Sequence, residues 1–407
     1  MKKMQFREWN IPSPRYWGML VFLGAFIGAA ALSVLYMEHQ GHWVTGMTNQ
    51  VVWGTPHIFA IFLIVAASGA LNVASIGSVF GVKEYKPLAP LSGLLAIMLL
   101  VGGLLVLVLD LGRPDRLLVA MTTYNFKSIF AWNIYLYTGF MVIVAAYLLT
   151  LMDRKMAIYN KKIGLLAFVW RLALTTGTGS IFGFLASRQA YDAAIMAPMF
   201  IIMSFAYGLA IYLLVLFFTF NAEGRPLGDA IVNRLKNLLG VFVAAVLYFT
   251  IAYHVTNLYI TNNHELESFI LLNGGRYTVA FWAFEVFLGG LVPLAILYHP
   301  ALSRVRAWIA GACGLIVLGG LAKVYVILIG GQAFPMALFP GKTILASGFG
   351  DGVQGVAAQY APTAPEIILG IGGIAFAIAG TLVAVRMLKF LPLSLADEAV
   401  ESRTAKS

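Results

Sequence analysis

Residues 107–132, LVLDLGRPDRLLVAMTTYNFKSIFAW, put Asp110, Arg113, Asp115, Arg116 and Lys127 between two long apolar runs. Three more ionisable residues, Arg171, Glu285 and Lys323, fall within other such runs. A charge inside a membrane span is costly to bury and points to function until shown otherwise. Glu285 and Lys323 sit about eight and five residues below the ends of adjacent runs, roughly 12 and 7 Å deep at 1.5 Å per residue. They can pair across neighbouring helices, either as a brace or as a proton relay. Arg171 lies toward the opposite end of its run, where it either snorkels or joins such a relay.

Histidine is the usual proton carrier near neutral pH. His39, His42, His57, His254 and His264 cluster at one set of run ends, and His299 lies at the other. Hydrated loop positions account for most of these. His57 stands apart, because Pro56 can open a helix and direct the imidazole into the bundle half a turn below the surface. Tyr253 beside His254, with Tyr135 and Tyr137, supplies hydroxyls at the same level, although interfacial aromatics often form only a belt.

These side chains must be positioned by membrane helices. Hydrophobic residues make up 60% of the 407 and charged residues 11%, and several apolar runs exceed the roughly 20 residues that cross a bilayer. The spacing predicts an all-α polytopic bundle, one integral membrane domain with ten spans over 17–37, 55–80, 88–109, 130–152, 163–187, 198–220, 238–261, 277–298, 306–328 and 366–389. The first run follows basic residues but lacks a small-residue cleavage pattern, so it reads as a retained helix. Loops on the side of the termini hold 19 of the 27 Lys and Arg, the other loops hold six, and two lie within spans. That bias predicts cytoplasmic termini and places residues 110–129 on the outer face, where their charges break the rule locally. The outer loop 329–365, rich in Gly and Pro, is expected to pack as a structured cap. The net charge of +10 is explained by topology, so no nucleic-acid partner is implied.

A single cysteine, Cys313, cannot hold an iron–sulfur cluster, which takes about four thiolates. Haem is not expected, since no span carries two histidines a few turns apart; only His57 with His254 offers a possible axial pair. Nucleotide-binding and zinc-peptidase motifs are missing from the sequence. A secondary transporter or proton channel without redox activity, a b-type cytochrome and a bare anchor stay open as rivals. The transporter predicts helices broken at mid-membrane, for which TTGTGSIFGF in the fifth span is the one suggestive stretch.

VVWGTPHIFAIFLIVAASGALNVASI, then LDLGRPDRLLVAMTTYNFKSIFAWNIYLYTGF, resembles the membrane subunits of the NrfD/polysulfide-reductase (PsrC-like) family. Shared features are a small-residue helix after Trp-Gly, a span ending in Asp-Leu-Gly-x-Pro-x-Arg, and a following Ser and Trp. TTGTGSIFGFL, APMFIIMSFAYGLA, RYTVAFWAFEVFLGGLVPLAIL and PTAPEIILGIGGIAFAI look like the ten-span branch, including DsrP of the sulfite-reduction-associated Dsr complex and quinone-linked hydrogenase subunits. The resemblance implies a subunit of the bacterial or archaeal cytoplasmic membrane, tied to sulfur metabolism and not catalytic alone. Such a subunit exchanges electrons between quinone or menaquinone and an extracytoplasmic ferredoxin-like iron–sulfur subunit, within a complex of further electron-transfer subunits. It further implies that Asp110 lies at the mouth of the quinone pocket, with His57 and Tyr135 as further ligands; His254, in the outer half of the seventh span, is a further cofactor-binding candidate by its position alone. Arg113, Arg116 and Lys127 would then orient the loop or dock the partner. The plain alternative for these charges is a capped loop braced by Asp110 and Arg113, with Pro114 fixing the turn.

Overall fold

The computed structural model describes residues 5–335 and 359–398; the outer-loop cap expected over 329–365 lies largely outside the described residues. Ten helices long and apolar enough to cross a membrane run through the described chain. They are α1 (Ser13–Gln40), α2 (Thr55–Ser78), α3 (Lys83–Leu109), α4 (Ile129–Met152), α5 (Ala157–Gly183), α6 (Met196–Glu223), α7 (Asp229–Tyr259), α8 (Arg276–Tyr298), α9 (Arg306–Ala333) and α10 (Ala364–Met387). The chain is a multi-pass membrane protein. The described ends meet on one face, where β1 (Phe6–Arg7) pairs antiparallel with β2 (Leu391–Pro392). Arg225 fastens that ribbon by donating to the carbonyls of Glu8, Leu391 and Pro392.

Helix α2 is buried almost all round, as its uninterrupted run of Ile, Phe, Leu, Val, Ala and Gly requires. It packs on α3, α6 and α10, while α9 joins α6 and α8 in the other half of the bundle. In lipid, close packing rather than hydrophobic segregation joins helices, so small residues mark the tightest crossings. One is Gly69 on α2 against Gly208 on α6: a Cβ on either would land on the other helix's backbone. The lipid-facing sides carry exposed Trp17, Phe22, Tyr248 and Trp282.

Three sequence expectations need correction. TTGTGSIFGF does not break its span, because Asn160–Gly183 is continuous helix. Arg171 does not snorkel: it is buried, donates to Asn72 Oδ1 at 2.9 Å and lies between the rings of Phe168 and Phe205. It also stands apart from Glu285 and Lys323. Finally, α9 extends past residue 328 to Ala333, as a wide π-helical turn over Val326–Gly330 and a last turn that includes Gln332.

Candidate functional site

Helix α2 opens at the face opposite the termini. Its first turn is clasped by residues about 300 positions further along the chain. Tyr360 accepts from the Thr55 N–H at 2.6 Å and donates to Glu366 Oε1 at 2.7 Å. Glu366, fully buried, also accepts through Oε2 from the N–H groups of Gly46 (2.9 Å) and Thr363 (2.8 Å) and from the Thr363 hydroxyl (2.9 Å). The Thr363–Glu366 part is a capping box for α10. Burial holds the Tyr360 hydroxyl well above its ordinary pKa, so it remains a donor across the working pH range. Gly54 is needed here, since a Cβ would collide with Glu366 and the Tyr360 hydroxyl. Replacing Tyr360 with phenylalanine is expected to lower the melting temperature, because Glu366 and the Thr55 N–H lose a buried partner worth about 1–3 kcal/mol. A thermal melt in detergent reads the effect.

Just before α2, Gln332 Oε1 accepts from the N–H groups of Val52 and Trp53, both at 3.0 Å, and Gln332 Nε2 returns a bond to the Trp53 carbonyl. Arg188 donates to the carbonyls of Gln50 and Gln332. The Trp53 ring so fixed lies stacked against His57, centroids 6.4 Å apart, and on its other sides meets Phe130, Phe182 and Tyr191.

His57 Nδ1 comes within 2.8 Å of Asp110 Oδ2 at the end of α3, and the Asp110 side chain is fully buried. The approach is close but not in line: neither Nδ1 nor either carboxylate oxygen has a well-directed hydrogen bond among the described residues. Buried polar atoms are normally satisfied, and at 2.8 Å the two groups are each other's nearest charged partner among the described residues. With Nδ1 on the carboxylate, Nε2 is the ring nitrogen left to face a ligand.

The rest of the Asp-Leu-Gly-Arg-Pro-Asp-Arg run turns away. Gly112, at φ +68°, makes the left-handed turn, and its neighbour Arg113 pairs with Asp115 at 2.9 Å rather than with Asp110. That exposed pair raises the Arg113 pKa and lowers that of Asp115 through their mutual hydrogen bond. Arg116 and Lys127 are exposed, beside exposed Leu118, Val119 and Phe126.

The other sequence candidates fall elsewhere. Tyr135 donates to the Met121 carbonyl at 2.8 Å and packs on Tyr124, and Tyr137 meets Thr178. Neither is part of the His57–Asp110 cluster. His254 does not face His57 as an axial pair would; its Nδ1 lies 2.6 Å from Glu267 Oε2 and its ring packs on Phe281. Lys323 Nζ lies 2.6 Å from Glu285 Oε1 and 2.8 Å from the Thr250 hydroxyl, all buried. Sequence reasoning missed Trp53, Glu267, Gln332, Tyr360 and Glu366. The Thr-x-x-Glu pattern at 363–366 was the available signal for the last.

The described residues thus form a ten-helix membrane bundle with a His–Asp contact where α2 begins and α3 ends. The family described as "Polysulphide reductase, NrfD" matches residues 43–336, and the chain belongs to it. The chain is 27% identical to the "Hdr-like menaquinol oxidoreductase integral membrane subunit" of Archaeoglobus fulgidus over 98% of its own length and 99% of that protein's. It is 28% identical to a putative dimethyl sulfoxide reductase membrane subunit of Halobacterium salinarum over 94% and 92%. It is 26% identical to "Protein NrfD" of Escherichia coli over 70% and 96%. These matches establish the family and not the finer likeness to DsrP.

Proposed function

We propose that this chain is the quinol-handling membrane subunit of an electron-transfer complex, with its termini cytoplasmic and the His57–Asp110 site at the extracytoplasmic face. The observation that carries the reading is the 2.8 Å contact between half-buried His57 and fully buried Asp110 beside Trp53, in a chain matched end to end by a relative named as a menaquinol oxidoreductase subunit. Oxidising a quinol releases two electrons and two protons, so a site needs proton acceptors at the headgroup end and an apolar wall. Here His57 presents Nε2 to a ring hydroxyl and takes the two protons in turn, passing each to outer water; Asp110 holds the imidazole and offsets the positive charge formed on it, and Trp53 supplies a flat apolar face. The membrane lipid phase delivers quinone or menaquinone.

The electrons need an acceptor beyond the chain's single thiol, since Cys313 is buried in α9. We assign that role to an extracytoplasmic iron–sulfur subunit docked beside the site. The exposed surface of Leu118, Val119 and Phe126 flanked by Arg113, Arg116 and Lys127 suits an acidic partner. The test is a fluorescence-quench titration of the purified chain with a quinol-site inhibitor, using Trp53 as the nearby reporter. Saturable quenching is expected, weakened about 10–100-fold in His57→Gln, as losing a hydrogen bond to a charged pair predicts. No saturable binding in either protein would overturn the reading.

A further inference from the structure

A second ionisable cluster lies in the other half of the bundle, and the proposed quinol site makes no use of it. At its outer end, Glu267 on the short helix His264–Ser268 holds His254 of α7 at 2.6 Å and accepts from Asn257 Nδ2 at 2.8 Å; Glu267 is 1% exposed. Deeper, Lys323 of α9 pairs with Glu285 of α8 and donates to the Thr250 hydroxyl. A cavity of about 30 Å³ has His254, Glu267, Glu285 and Lys323 in its wall. A second, of about 20 Å³, continues inward from Glu285 and Thr250 to Tyr207. A buried water needs about 10–15 Å³ and two to four polar partners, so the first has room for about two waters and the second for about one. Apart from Tyr207, Thr250 and Glu285 the wall of this second cavity is apolar, with Ala206, Val243, Val246, Leu247 and Ile316.

The backbone singles out the same place. Three π-helical stretches, Phe269–Asn273, Ala280–Leu291 and Val326–Gly330, surround the cluster; Glu285 lies in the second and Lys323 just before the third. Such wide turns are rare and concentrate at functional sites. An ion pair wanted only to hold α8 to α9 would need neither the water-sized spaces nor the second acid–base pair above it, and buried pairs are poor stabilisers.

We infer that this cluster is a proton half-channel, open to the outer face through His254 and Glu267 and closed toward the cytoplasm by the apolar wall of the second cavity. The inference rests on the orientation given under the proposed function but not on quinone binding. A proton taken from outer water by His254–Glu267 crosses the first cavity to Glu285. Protonated, Glu285 releases Lys323 as a cation held by Thr250; when the proton leaves, the pair re-forms. One proton enters, the same number leaves, and no electron moves. The titratable groups facing the pair are His254 and Tyr253 from α7, Glu267 from the short helix, and Tyr207 from α6.

The test uses dicyclohexylcarbodiimide, an apolar reagent that a protonated carboxyl adds to, its proton passing to the reagent's nitrogen. Right-side-out and inverted membrane vesicles containing the full chain are labelled with inner and outer pH set independently, and Glu285 is followed by peptide mass. The expected result is labelling that rises up to tenfold per unit fall in outer-face pH, ignores cytoplasmic-face pH, and loses this sidedness in His254→Phe with Glu267→Gln. Glu285→Gln should remove the label, and Glu285→Gln with Lys323→Met should fold and insert normally. No label on Glu285 at any pH, or label that follows cytoplasmic pH, overturns the half-channel. Because no quinol is present, inhibitor titration at His57 succeeds or fails independently of this result.

Discussion

Asp110→Asn is expected to lower quinol turnover by at least about 100-fold, with insertion, yield and assembly with partner subunits unchanged. The substitution keeps the shape of a fully buried side chain and removes its charge. Without that charge, the imidazolium formed when His57 takes a proton has nothing to stabilise it, and general-base catalysis is worth about 10²–10⁴-fold. Stability should not suffer, because a buried carboxylate with no well-directed partner among the described residues carries a desolvation cost that an amide lacks. Steady-state oxidation of a short-chain menaquinol by the isolated complex measures the effect. Full turnover in the variant would remove Asp110 from the chemistry.

Gly208→Leu is expected to prevent folding. Its Cβ alone would overlap Gly69 and Ala70 of α2, and the backbone atoms it meets cannot rotate away as a side chain can. Extra methylenes in a tolerant core cost about 1–3 kcal/mol; forcing apart two central helices exceeds that against a total stability of about 5–15 kcal/mol. Loss of monodisperse protein in size-exclusion chromatography of the detergent extract is the readout. A well-behaved variant with a near-normal melt would show that α2 and α6 do not cross as tightly as described.

The ten spans were legible because apolar length is a strong signal in a membrane chain. Their ends were less so wherever a polar side chain found a partner across the fold. Gln332 reads as loop, yet it completes α9 because Val52 and Trp53 need its amide. Helix α7 begins at Asp229, nine residues before its apolar run, since Arg234 pairs with Glu84. At the site, Asp110 was marked by its place in the run, and His57 by the proline before it. Glu267 read as a loop charge and Glu366 as the first residue of a span, because burial of either depends on how the short segments before them fold back. The separation of His254 from His57 was likewise invisible: both sit at similar depth, and only the packing of α2 away from α7 tells them apart.

The Tyr360–Glu366 clasp on Thr55 also fixes when in the life of the chain the site is completed. Thr55, His57 and Asp110 are synthesised well before the groups that hold the first turn of α2, which follow about 300 residues after Thr55. A nascent chain can insert nine helices and still lack an ordered His57 site until α10 docks on α1, α2 and α3. A chain truncated before residue 360, or stalled with α10 uninserted, would therefore carry the His57 and Asp110 side chains without the clasp that positions them. On the proposed reading, inhibitor binding would therefore also report that α10 has docked.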